Sequence, residues 1–251
     1  KTLHVGHLRS ANIGQALNNL CKVVGCKTIS DIHLGDWGRP MGMVILEIKT
    51  RHPELAYFKE DYNGEDVNFQ ITNNDLLELY PIATTKAKEN ESIMEQARLI
   101  NAELQNKHKG YYALWKKIVD VSIKEVKRLY QDLNVDFDLW EGESDNFEFM
   151  DATLEFLYNS GHMKASEGAK VIDVSKEEDK LEIPPLIVIK SNGAVSYEAT
   201  DIAAIWERTH KFNIDEIWYM TDKRQELHFN QVFRAVYKTG MVDKNLMDLE
   251  Q

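Results

Sequence analysis

Apolar residues recur at helical spacing just after the N-terminus, where Ala11, Ile13, Ala16, Leu17 and Leu20 predict a helix. Residues 27–33 read as a short strand, closed by a turn over 34–38 that holds two glycines. Helical spacing returns over 41–52, with Met43, Val44, Leu46 and Ile48 on the apolar side, and stops before Pro53. Residues 53–83 have little periodicity, and 62–66 read as an exposed turn. From about Thr84 to Leu133 the pattern is strongly helical. Ile93, Ala97, Ile100 and Leu104 share one face, and Trp115, Ile118, Ser122, Val126 and Leu129 another, which predicts two long helices paired across a break at Gly110.

The second half has a similar rhythm. A strand is expected over 137–140 with a turn over 141–144, then a helix over 147–159 that ends at Gly161. Residues 170–174 and 186–190 are β-rich and predict a hairpin or small extra sheet, left through a turn at Ser191-Asn192-Gly193. A helix over 197–210, a buried strand over 214–220 and a helix over 224–239, stopped by Gly240, complete the chain. Strands that alternate with helices predict an α/β fold with a parallel sheet. The block 84–133 is expected as a helical insertion and 162–191 as a β-hairpin insertion. No strand precedes the first helix and the chain opens on Lys1 without a methionine, so a piece of a longer protein, truncated at both ends, is expected.

At 251 residues and 43% hydrophobic, the chain can bury a sizeable core. Its formal charge of −11 argues against broad electrostatic attraction to nucleic acid, so such a partner would need a local basic surface. Lys116, Lys117, Lys124, Lys127 and Arg128 offer basic charge, although a solvated helix face is their simplest reading. Two cysteines, Cys21 and Cys26, make no disulfide or zinc framework, which favours a reducing, cytoplasmic setting. No apolar run of about 18 residues and no signal-peptide pattern is present, so no membrane partner is expected.

The densest chemistry lies at the start, Leu3-His4-Val5-Gly6-His7-Leu8-Arg9-Ser10. Two histidines stand where a turn enters a helix. Helix N-termini present unpaired N–H groups and a positive dipole end, and Gly6, without a Cβ, allows a phosphate or a flat ring close to the backbone. That combination suits a nucleotide, and the spacing alone also fits two histidines satisfied inside the fold. His4-Val5-Gly6-His7 looks like the signature of class I aminoacyl-tRNA synthetases, and the stretch as far as Ser10 resembles arginyl-tRNA synthetases. Further stretches similar to that family follow in order: 197–203 (Tyr-Glu-Ala-Thr-Asp-Ile-Ala) and 222–229 (Asp-Lys-Arg-Gln-Glu-Leu-His-Phe). Gly35-Asp36-Trp37-Gly38 is similar as well, but Arg39-Pro40-Met41 stands where the family more often has threonine or lysine, then glutamine and phenylalanine. At Asn192 the family more often has aspartate, and both residues tolerate a left-handed backbone.

The resemblance implies a Rossmann-like class I catalytic domain over 1–251 that joins arginine to tRNA(Arg). ATP, with its Mg²⁺, would first activate L-arginine as arginyl-adenylate, in a step that depends on bound tRNA; no structural metal is implied. His4, Gly6 and His7 would hold the triphosphate, and Lys1, three residues before the first histidine, would touch phosphate. Tyr197 and Asp201, four apart and so on one helix face, would meet the guanidinium together with Glu143, while Gln225 would contact the α-amino end. A monomer is expected, and residues 1–251 alone are expected to bind tRNA weakly and charge none. The rival readings are a non-catalytic RNA-binding or regulatory fragment and a class I synthetase for another amino acid.

Overall fold

Parallel strand pairing, the feature that strand–helix alternation predicts, occurs once in each of two units, Lys1–Gly142 and Glu143–Gln251. The computed structural model describes residue 3, residues 5–243 and the backbone of residues 248–250. None of the described helices is long and apolar enough to cross a membrane.

The first unit runs α1 (Val5–Val23), β1 (Asp31–Leu34), α2 (Arg39–Arg51), α3 (Asn73–Glu89), α4 (Glu91–Gln105), α5 (Lys109–Gln131) and β2 (Leu139–Gly142). β1 and β2 pair in parallel, with Asp31 opposite Leu139 and Leu34 opposite Gly142. Just ahead of the ladder, the Ser30 amide and hydroxyl both donate to Asp138 Oδ2 at 2.8 Å. Both strands start later than the sequence pattern predicts, so Glu141 and Gly142 belong to β2 and not to a turn. Gly142 is glycine because of a close approach: a Cβ there would lie 2.5 Å from the Asp36 carboxylate.

Helix α3 begins at Asn73, inside the 53–83 stretch whose sequence has little periodicity. Its start is a capping box: Asp75 N donates to Thr72 Oγ1 and Thr72 N donates to Asp75 Oδ2 at 2.7 Å. The helical block is therefore three helices. Asn90 separates the first two and caps α4 by accepting from Ser92 N at 2.9 Å. Gly110, expected as a break, lies inside α5, where a Cβ would stand 1.8 Å from the Tyr57 carbonyl oxygen. Gly42 plays the same part where α2 meets α4, since a Cβ there would be 2.2 Å from the Ala97 carbonyl oxygen. The core joins Val44, Ile45 and Ile48 of α2 to Leu79, Ile100, Leu104, Leu114, Trp115 and Ile118. Buried Glu47 links α2 to α3 through Lys86 at 2.9 Å and also binds Arg51 at 2.9 Å. Burial pushes its carboxyl up, but the bonds from Lys86 and Arg51 prevail and hold it below its ordinary value.

The second unit runs α6 (Phe147–Asn159), β3 (Met163–Ser166), β4 (Ala169–Ile172), β5 (Leu186–Ile189), α7 (Tyr197–Lys211), β6 (Glu216–Trp218), α8 (Glu226–Lys238) and β7 (Asp248–Glu250). Strands β3, β4 and β5 form an antiparallel sheet, so the expected hairpin gains a strand. Glu167 and Gly168, both at positive φ, make the two-residue turn between β3 and β4. Ile172, Leu186 and Val188 from this sheet are fully buried in a core shared with Ile202 and Ile205 of α7 and Val232 and Val236 of α8. β6 is three residues long with Glu216 and Trp218 exposed, not the buried strand expected over 214–220. It pairs in parallel with β7, and strand alternation gives the reason for its exposure: Glu216 and Trp218 share one exposed face while Ile217 between them packs against the core. In the turn after β5 the left-handed residue is Gly193, φ 82°, while Asn192 accepts from Ala194 N instead.

Side chains along α8 hold the 173–185 loop. Arg234 forms two 2.7 Å bonds to the Asp179 carboxylate and a third to the Val174 carbonyl, Gln231 donates to the Pro184 carbonyl, and Lys238 to the Asp173 carbonyl. Arg234 above all, with the Lys176 amide, holds the Asp179 carboxyl down at about 2.

Candidate functional site

In the first unit, α1 begins at Val5, which places Gly6 and His7 in its first turn, with the His7 side chain exposed. The first-turn N–H groups and the dipole end there are the anion-favouring feature the sequence pointed to. Lys1 and His4 lie outside the described residues. α1 rests on the rest of its unit through Ala11, which packs with Tyr130, Val135, Leu3, Leu8, Ile32 and Trp140. Following β1, the 35–38 loop is held by the indole of Trp115, which donates to the Asp36 carbonyl at 2.7 Å, and by Trp37 set edge-on to Trp115 at 4.9 Å. Gly38, φ 88°, then caps α2, and Pro40 sits in its first turn, where a missing N–H costs nothing. The Arg39-Pro40-Met41 departure thus serves as a helix start.

In the second unit, Ser196 sets the start of α7. Its hydroxyl donates to the Ile187 carbonyl of β5 at 2.6 Å and accepts from Ala199 N at 3.1 Å, so strand and helix are joined at one buried side chain. Tyr197 and Asp201 follow on one face of α7. A residue without an assignment from the sequence joins them. His228 of α8 has its Nε2 2.7 Å from Asp201 Oδ2, and its ring stacks on that of Tyr197 with centroids 4.8 Å apart and planes 23° apart. Phe229 also packs against His228, with ring centroids 4.8 Å apart and planes at 76°. His228 and Asp201 are only 11% and 17% exposed, which shelters the pair from solvent screening.

Oδ1 of Asp201 has no hydrogen-bond partner among the described residues. Burial first, then the Glu198 and Asp201 carboxylates, push the Tyr197 hydroxyl above its ordinary value, so it stays a donor at neutral pH. Gln225 ends the short 3₁₀ turn Lys223–Gln225 and is the N-cap of α8, one turn before His228. Asp222 caps that short turn by accepting from Arg224 N at 3.0 Å. Glu143 stands half-buried in the turn that leads into α6. Of the residues expected to hold arginine, the structure therefore brings Tyr197 and Asp201, expected at the guanidinium, into one group, adds His228 to it, and places Gln225, expected at the α-amino end, at the start of the helix that carries His228. His228 lies inside the 222–229 stretch, three positions after Gln225; that spacing was the signal available for it.

No group of three or more His, Cys, Asp or Glu side chains that could hold a metal stands among the described residues. Cys21 and Cys26 are free.

Comparison with known proteins bears on the family and the fold. The family model described as "tRNA synthetases class I (R), catalytic domain" matches residues 1–251. The arginine–tRNA ligase of Alkaliphilus oremlandii is 47% identical over 247 residues, 98% of this chain and 42% of its own length. That of Agathobacter rectalis is 45% identical over 243 residues, 96% of this chain and 41% of its own length. Among solved structures, the arginyl-tRNA synthetase of Plasmodium falciparum superposes with a TM-score of 0.79 at 30% identity, over 100% of this chain and 40% of its own. The chain thus spans about two-fifths of the length of these relatives. From its first residue to its last, it belongs to the catalytic-domain family of the class I (R) tRNA synthetases.

Proposed function

We propose that the protein containing this chain is an arginine–tRNA ligase. The observation that carries the reading is the α7–α8 group, in which a sheltered Asp201 offers one unbonded carboxylate oxygen beside a phenol donor. A planar guanidinium with several fixed N–H donors is the amino-acid side chain that such an acid recognises best. Membership of the class I (R) family and the names of the relatives support the same substrate.

In the proposed reaction a carboxylate oxygen of L-arginine attacks the α-phosphorus of ATP and pyrophosphate leaves, giving arginyl-adenylate. A terminal ribose hydroxyl of tRNA(Arg) then attacks the activated carbonyl, and AMP leaves. Little covalent help is required from side chains, because placement and electrostatic stabilisation carry most of such a step. Gly6, His7 and the first-turn amides of α1 are proposed to hold the phosphates, with His4 and Lys1 as further contacts. Mg²⁺ is proposed to arrive with the nucleotide, whose phosphate oxygens are its natural ligands. Asp201, Tyr197 and Glu143 take the guanidinium and Gln225 the α-amino group. Activation depends on bound tRNA, and the enzyme works in the cytoplasm as a monomer.

The test is ATP–pyrophosphate exchange by the full-length gene product with each of the standard amino acids, with and without tRNA(Arg). Arginine alone should drive exchange, and only with tRNA present. Exchange driven by cysteine or glutamine but not by arginine would refute the proposal.

A further inference from the structure

His228 is a polar ring placed among aromatic neighbours: Tyr197 stacks on it and Phe229 stands nearly perpendicular to it. Its Nδ1 is buried and has no hydrogen-bond partner among the described residues. Its Nε2 faces Asp201 Oδ2 at 2.7 Å. An ionised carboxylate only accepts, so Nε2 carries the proton of that bond. A second proton, on Nδ1, would face no acceptor among the described residues. A neutral donor fixes Asp201 without cancelling its charge, where a lysine or arginine in the same place would compete with the substrate's own cation.

We propose that His228 is the positioning residue of the arginine site: its Nε2–H holds Oδ2 of Asp201 so that Oδ1 and the full negative charge are left for the guanidinium, and its ring clamps Tyr197 beside them. This rests on the proposed function, since it supposes that Asp201 reads arginine. His228 itself touches no substrate. It acts by removing the rotamer freedom that Asp201 and Tyr197 would otherwise lose on binding.

Two variants separate the donor from the ring. His228→Phe keeps the stacking and deletes the N–H; His228→Gln loses the ring but places an amide N–H near the old Nε2. In tRNA-dependent exchange by the full-length protein, the Phe variant should raise KM for arginine about 10- to 100-fold, the range for a lost hydrogen bond to a charged group, with KM for ATP within twofold. The Gln variant should recover most of that loss. Equal losses in both variants, or an unchanged arginine KM in the Phe variant, would overturn the proposal; so would KM values for arginine and ATP that rise together with a lower thermal midpoint. Independently of activity, ¹⁵N spectra of the wild-type protein at neutral pH should show His228 Nε2 protonated and Nδ1 bare, and the opposite tautomer or an imidazolium would overturn it. If the wild type activates no arginine, the proposed function falls, and the nitrogen spectra still decide whether His228 holds Asp201 in the stated form.

Discussion

Asp201→Asn changes one oxygen to an NH₂ with almost no change of shape. The asparagine carbonyl can still accept from His228 Nε2, as Oδ2 does at 2.7 Å, and its amide then stands where Oδ1 was. That replaces an anionic acceptor by a donor that faces the donors of a guanidinium. Removing one partner of a buried charge-assisted pair costs about 2–5 kcal/mol. The Asp201 side chain keeps 17% of its exposure, so water screens it in part, and the lower end, about 2–3 kcal/mol, applies here. At about 1.4 kcal/mol per decade this is roughly a 30- to 150-fold rise in KM for arginine. KM for ATP should stay within twofold and the thermal midpoint within a few degrees, because the bond to His228 survives. Steady-state exchange kinetics beside thermal unfolding of the same preparation check this. An arginine KM within twofold of wild type would remove Asp201 from the site.

Three further expectations concern the scaffold. Gly42→Ala should destabilise by about 1–3 kcal/mol in urea unfolding, since a Cβ 2.2 Å from the Ala97 carbonyl must push α2 off α4; stabilisation by alanine's better helix propensity would contradict the close packing. Ser196→Ala should cost about 1–2 kcal/mol, because it removes a buried cap and leaves the Ile187 carbonyl short of a donor; an unchanged urea midpoint would refute it. Arg234→Met should be destabilising above pH 4, and its gap to wild type should narrow as pH falls toward about 2: the depressed Asp179 carboxyl gives its stabilisation in full above the unfolded value and loses it as it protonates. A gap independent of pH across that range would show that the ion pair is not its source.

The helices that could be read from the sequence were those whose burial follows one periodic stripe. Residues 147–159 and 197–210 reappear almost unchanged as α6 and α7, because Met150, Thr153 and Leu157, and Ala199, Ile202, Ala203 and Ile205, turn one face inward. α3 was hidden by Pro81 within it and by weak periodicity, although the Thr72–Asp75 capping pair marked its start. Gly110 and Gly142 misled for one reason: a glycine needed for a close approach and a glycine needed for a turn look the same in a sequence. Strand ends were misplaced because pairing partners more than a hundred residues away, such as Asp31 and Leu139, decide them. At the candidate site, helical spacing places Tyr197 and Asp201 on one face, and the family resemblance supplied the role expected of them. His228 was not legible, because its meeting with Asp201, 27 residues away, is set by how α8 packs beside α7.

If the α7–α8 group reads the positive charge of the substrate, arginine and citrulline will compete for it very unequally. Citrulline keeps the length and planarity of arginine but ends in a neutral ureido group. Against the wild-type protein, with tRNA present, the inhibition constant of citrulline should exceed the KM for arginine by about 30-fold or more, the charge-assisted contact worked out above. In Asp201→Asn that ratio should shrink about 10-fold or more, since Asp201 supplies the larger of the two charges proposed at the guanidinium and Glu143 alone remains. The same ratio in both proteins would mean that charge is read elsewhere, and the account of this site would be wrong.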